Sequence, residues 1–87
     1  MALLIVQHVV RDYGAWRPVF DAHESSRAGA GITNPRVYRK AEDGNDLALL
    51  FDVADVETAK TWAAGEDLKS AMQRAGVVGQ PLIRFVS

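Results

Sequence analysis

The run LLIVQHVV, from Leu3 to Val10, carries apolar side chains on both parities. Leu4, Val6 and Val10 fall on one side of an extended chain, and Leu3, Ile5 and Val9 on the other. A second run, Leu47 to Val53, sets Leu50 against Leu47, Leu49, Phe51 and Val53. Successive side chains of a strand point to opposite faces, so a strand wet on one face alternates apolar with polar. These two do not alternate. Any sheet they join must therefore be covered on both faces.

The rest of the chain supplies cover for one face only. Asp12 is a plausible N-cap for a helix. Pro18 removes the N–H that would meet the Gly14 carbonyl, which predicts a loose first turn and a regular helix from about Pro18 to Ala28. Gly29 and Gly31 end it. Ile32 to Lys40 reads as a strand that Pro35 confines to an edge or a bulge. The cluster EDGND, Glu42 to Asp46, signals a hairpin, with Leu47 to Val53 as the return strand. Asp55 caps a helix through about Ala64 that Gly65 stops. The segment EDLKSAMQRAG then places Leu68, Ala71, Met72 and Ala75 on one helix face, with Gly76 closing it. Pro81 is expected to introduce a final strand, LIRFV.

The order is β-α-β-β-α-β. It predicts a single α+β domain over residues 1–87 with the ferredoxin-like plan, a four-stranded antiparallel sheet with helices on one face. In a monomer the second face would be a large exposed apolar patch. A homodimer with two sheets packed face to face is the expected solution.

With 87 residues the chain is near the size where one core is only marginally sufficient, and without cysteine it has no disulfide to reinforce it. A net charge of −1 offers no basic face to nucleic acid. The opening MALLIVQHVV is interrupted by Gln7 and His8 and reads as a strand, not a leader or a membrane span. A cytoplasmic protein with neither nucleic-acid nor membrane partners is expected.

Chemistry concentrates on one stripe. Trp16, Phe20, His23 and Arg27 fall along one side of the first helix, which sets a histidine and an arginine among the largest apolar residues of the segment. That pattern suits the wall of a small-molecule cavity. His8 shares a strand face with Val6 and Val10. It is either a general base in an apolar pocket or a buried histidine satisfied by a neighbouring carbonyl or side chain. His23 could meet His8 across the cavity, or sit at its margin paired with Glu24, Asp21 or solvent. Trp16, Phe20 and Trp62 serve as core, as walls for an aromatic ligand, or as both. Tyr13 and Tyr38 offer hydroxyls to orient a carbonyl, although Tyr13 could equally lie on the surface. Arg27 and Arg36 are expected to be solvated or paired with carboxylates, and Glu66-Asp67 to cap a helix. There is no glycine-rich phosphate loop and no nucleophile elbow, and the two histidines lack metal-ligand spacing, so neither metal nor cofactor is expected.

The strand order, the junction HVVRDYGAW (residues 8–16) and the helical run DVETAKTWAAGEDLKSAM (residues 55–72) resemble the dimeric α/β-barrel superfamily. It includes antibiotic-biosynthesis monooxygenases, small polyketide cyclases, haem-degrading oxygenases and stress-responsive barrels. The resemblance covers nearly the whole chain. It implies a ligand cavity between helices and sheet within each subunit, faced by Trp16, Phe20 and His23. It also implies a cofactor-free cyclase or monooxygenase acting on a polyketide-like or phenolic compound, with His8 as general base, or else a non-catalytic ligand-binding or stress-associated barrel. Val56-Glu57-Thr58 is similar to a plant polyketide cyclase, but the cyclase tyrosine position falls on Trp62 and its histidine positions on Leu68 and Leu4. Haem-degrading members share Trp62 but have their haem-ligating histidine where this chain has Met72.

Overall fold

A computed structural model describes residues 2–87. Its elements are β1 (Ala2–Val10), α1 (Tyr13–Ala22), α2 (Glu24–Gly29), β2 (Ile32–Arg39), β3 (Asp46–Val53), α3 (Val56–Ala63), α4 (Glu66–Ala75) and β4 (Val77–Val86). The four strands are antiparallel in the order β2-β3-β1-β4, and helices cover one face. This is the ferredoxin-like α+β plan.

The covered face carries Leu4, Val6, His8 and Val10 of β1 and Leu47, Leu49, Phe51 and Val53 of β3, all buried. Trp16 and Phe20 of α1, Ala59 of α3 and Ala75 of α4 close over them. Each large apolar side chain so buried contributes about 1.5–3 kcal/mol. The register puts Leu3, Ile5 and Val9 of β1, Leu50 of β3, and Val78, Leu82 and Val86 of β4 on the opposite face. Val9, Val78, Leu82 and Val86 are exposed there. Polar residues share that face, and Arg36 and Asp52 satisfy each other there at 2.8 Å.

Two bulges shape the sheet. In β2, Thr33 pairs with Asp52 and Arg36 with Leu50, so Asn34 and Pro35 together oppose Phe51. In β4, Leu82 pairs with Gln7 and Val78 with Val9, so Gly79, Gln80 and Pro81 together oppose His8. Gly79 takes φ 73°, which its missing Cβ permits. Pro81 therefore lies within the last strand and does not introduce it.

The first helical region also differs from expectation. The first turn is regular, because Asp12 accepts from the Ala15 N–H at 3.0 Å and Asn45 Oδ1 accepts from the Tyr13 N–H at 2.8 Å. Pro18 deprives only one carbonyl and the helix passes through it. The interruption comes at His23, between α1 and α2. The second helical pair follows the expected signals. Asp55 accepts from the Thr58 N–H at 3.2 Å, and Gly76 closes α4 with φ 83°.

Candidate functional site

Between the helices and the covered sheet face lies a cavity of about 50 Å³. β1 and β3 supply its floor, including Val6, His8, Leu49 and Phe51. α1 and α2 supply Trp16, Phe20, His23 and Arg27, and the second helical pair supplies Trp62, Leu68 and Met72. No carboxylate lines it.

His8 is 6% exposed, and neither Nδ1 nor Nε2 has a hydrogen-bond partner. Its ring meets Trp16 edge-on at 5.9 Å between centroids. Leaving a buried polar atom unpaired costs about 1–3 kcal/mol. A histidine that serves packing would ordinarily find a carbonyl, and none is in place for His8. The β4 bulge lies against it: three residues oppose this one position. Burial pushes its pKa below 6.5, only partly offset by the charge of Asp46, so at neutral pH the imidazole is uncharged and can accept a proton.

Trp16 stacks on Phe20 at 4.6 Å, and Phe20 meets Phe51 at 6.1 Å in a tilted pair. These rings make one continuous aromatic wall of the cavity. Arg27 completes it, against the expectation of a solvated or ion-paired side chain. It is 5% exposed, with its guanidinium 3.9 Å from the Phe20 centroid and 5.8 Å from that of Phe51. Its Nη1 donates to the Phe20 carbonyl at 2.9 Å. The interruption at His23 explains this. The Phe20 carbonyl lies beside the end of α1, where it accepts from the His23 N–H at 3.2 Å and is also within reach of Arg27.

His23 lines the cavity but makes no hydrogen bond to His8. Its partner is Asp67 of α4, with Nε2 and Oδ2 2.9 Å apart, and not Glu24 or Asp21. The Ser26 hydroxyl donates to the same carboxylate, and the Trp62 indole N–H donates to Ser26 at 3.0 Å. Asp67 thus ties α2 and α3 to α4, and these bonds, first Ser26 and then His23, hold its carboxyl below the usual carboxylate range. Its carboxylate does not cap α4, whose N-cap is Gly65 and which has no side-chain cap bond. Ser26 and Asp67 escape sequence reasoning because their meeting spans 41 positions.

The two tyrosines stand outside the cavity. Tyr13 sits at the start of α1, half-buried, with the Arg39 guanidinium 4.0 Å from its ring centroid. Tyr38 is 56% exposed on the uncovered sheet face. The β2 bulge is the reason. Ile32 and Val37 both pair with inward-facing residues of β3, so parity shifts by one and Tyr38 turns outward.

A groove of about 400 Å³ between α4 and β4 adjoins the cavity, sharing Ala63, Leu68, Met72 and Ile83 with it. The β4 bulge forms the far wall of this groove. The cavity alone holds a few waters. Leu68 and Met72 stand between cavity and groove, and the unbranched methionine is the more adaptable of that pair. Among the described residues no group of three or more His, Cys, Asp or Glu side chains is placed to hold a metal ion. No helix among them is long and apolar enough to cross a membrane.

Compared by sequence, the chain matches no protein-family model and no curated protein. Compared by structure, it is similar to an antibiotic biosynthesis monooxygenase-like protein of Bordetella bronchiseptica, with a TM-score of 0.81 at 12% identity over 99% of this chain and 94% of that one. A variant of SnoaB, a cofactor-independent oxygenase from Streptomyces nogalater, gives 0.74 at 12% identity, covering 99% and 90%. A similar monooxygenase-like protein of Caulobacter crescentus gives 0.74 at 14% identity, covering 98% and 86%. The chain has the ferredoxin-like fold of the antibiotic biosynthesis monooxygenase proteins, across nearly its whole length.

Proposed function

We propose that this chain is a cofactor-free oxygenase or cyclase acting on a polyketide-like or phenolic compound, with His8 as general base. The observation that carries the reading is a buried, uncharged imidazole without a hydrogen-bond partner, facing a cavity walled by Trp16, Phe20 and Trp62. Likeness in fold to a cofactor-independent oxygenase supports it. His8 removes a proton from an acidified carbon or phenol, which leaves an organic anion beside an imidazolium. In the oxygenase reading that anion reduces dioxygen. An activated methylene becomes a carbonyl, and the second oxygen atom leaves as water. In the cyclase reading the anion attacks a carbonyl of the same molecule. One positioned base supplies roughly 10²- to 10⁴-fold, so the aromatic walls contribute by holding the reacting atoms in place.

The working unit in this proposal is a homodimer joined through the uncovered sheet faces. Val9, Val78, Leu82 and Val86 stand exposed together there, beside Leu3, Ile5 and Leu50. A second copy of the same surface covers them by two-fold symmetry.

The test follows oxygen uptake and product formation with anthrone-type and linear polyketide substrates. The wild-type protein turns one of them over, and His8→Gln does not while remaining folded. Undiminished turnover in His8→Gln removes the base from the mechanism. Thermal stabilisation by substrate without turnover in the wild type moves the chain to the non-catalytic ligand-binding reading. Sedimentation at micromolar concentration gives a dimer, whereas a lone subunit there overturns the face-to-face assembly.

A further inference from the structure

Arg27 is a cation inside an apolar cavity, and the surrounding structure does not neutralise it. No carboxylate lies within ion-pair distance among the described residues, and none lines the cavity. The charged groups acting on it are Asp21 and Glu24, which favour its charge, and Arg17, which opposes it; burial is the largest influence and also opposes it. One donor is spent on the Phe20 carbonyl at 2.9 Å, and one guanidinium face rests on the Phe20 ring at 3.9 Å. A guanidinium has five N–H donors in a planar fork suited to an oxyanion. The same cavity is lined by His8, uncharged at neutral pH and without a partner. A site with a buried cation, a neutral imidazole and aromatic walls lacks one thing, a flat molecule carrying negative charge.

We propose that Arg27 binds an ionised oxygen of the ligand, so that the cavity takes planar organic acids such as phenols and enols as their monoanions. The inference rests on the cavity being a ligand site, as proposed above, but not on any reaction occurring there. Arg27 and His8 then divide the work. The arginine holds an oxygen already ionised, and the histidine stays free to receive a proton from another atom of the ligand. A neutral molecule of the same shape leaves the guanidinium without its counter-charge and binds more weakly.

The probes are 4-nitrophenol, whose anion has its own visible absorption band, and 4-nitroanisole, its neutral methyl ether. Calorimetry and absorption spectra are recorded slightly below the pKa of the free phenol. The wild-type protein binds the phenol as its anion, at least about tenfold tighter than the ether. Arg27→Met loses the preference and binds phenol and ether alike. His8→Gln keeps the preference for the anion. Should Arg27→Met fail to fold, the paired wild-type and His8→Gln measurements still decide. Equal affinities in the wild type, a bound phenol that stays neutral, or no binding of either probe overturns the inference. A preference that survives Arg27→Met and vanishes in His8→Gln overturns it too, by transferring the charge recognition to His8. Turnover enters none of these readouts, so a failure of the oxygenase or cyclase proposal is separately visible.

Discussion

The cavity has a histidine from the strand layer and a histidine from the helix layer, and their circumstances are opposite. His8 sits in the last third of β1 with both ring nitrogens unpaired. His23 sits at the break between α1 and α2, bonded to Asp67 and beside Trp62 at 5.7 Å between ring centroids. The second arrangement resolves its own polarity and ties helices together. The first leaves a buried polar group unserved, which a fold tolerates where something else uses that group. The comparison separates a residue that holds the cavity's shape from one available to a ligand, although sequence alone made both candidates for chemistry.

The sharpest way to break that contrast is kinetic. His8→Ala lowers turnover by roughly 10²- to 10⁴-fold, the range expected on removing one general base. His23→Ala changes it by less than about tenfold and acts mainly through stability. Steady-state oxygen-uptake or product assays compare the two, and equal losses would dissolve the distinction. Next in size is the cost of each histidine's tryptophan. Trp16, fully buried against His8 and Phe20, loses about 3–5 kcal/mol of unfolding free energy when replaced by alanine, as large core truncations do. Trp62, only partly buried, loses roughly half as much, including its bond to Ser26. Urea unfolding of both variants measures the gap.

The smallest effect is a pH limb. The folded chain holds the His8 pKa below the 6.5 of the unfolded chain, so on acidification the unfolded state takes up the proton first. Stability is therefore free of this penalty above 6.5 and falls as pH drops through the interval down to the folded pKa. His8→Gln flattens that part of a Tm-against-pH curve. An unchanged slope would mean that the imidazole titrates normally in the folded chain.

Much of the fold was legible because its signals are local. The two-parity strands, the Asp12 and Asp55 caps and the Gly76 stop each depend on a few neighbouring residues. His8 was legible for the same reason, since alternation with Val6 and Val10 alone sets its face. The misreadings share a different cause. Tyr38 faces outward because a bulge at Asn34 and Pro35 shifts the parity of β2, and Pro35 admitted an edge position or a bulge without deciding between them. Arg27 belongs to the Trp16–Phe20 stripe in sequence, but its partner was not legible: the Phe20 carbonyl is open to it because α1 stops at His23, where neither glycine nor proline marks a boundary. Asp67 found its partners across a sequence separation that no local pattern spans.

Both outermost strands carry a proline inside an irregularity, Pro35 in β2 and Pro81 in β4. Neither rim can donate an unbroken row of backbone hydrogen bonds to a newcomer. Lateral growth by strand addition, the commonest hazard of a sheet left open at its margins, is thereby blunted at both ends. In the proposed homodimer the contact falls instead on the broad apolar surface, where pairing consumes the sticky area and stops at a finite size.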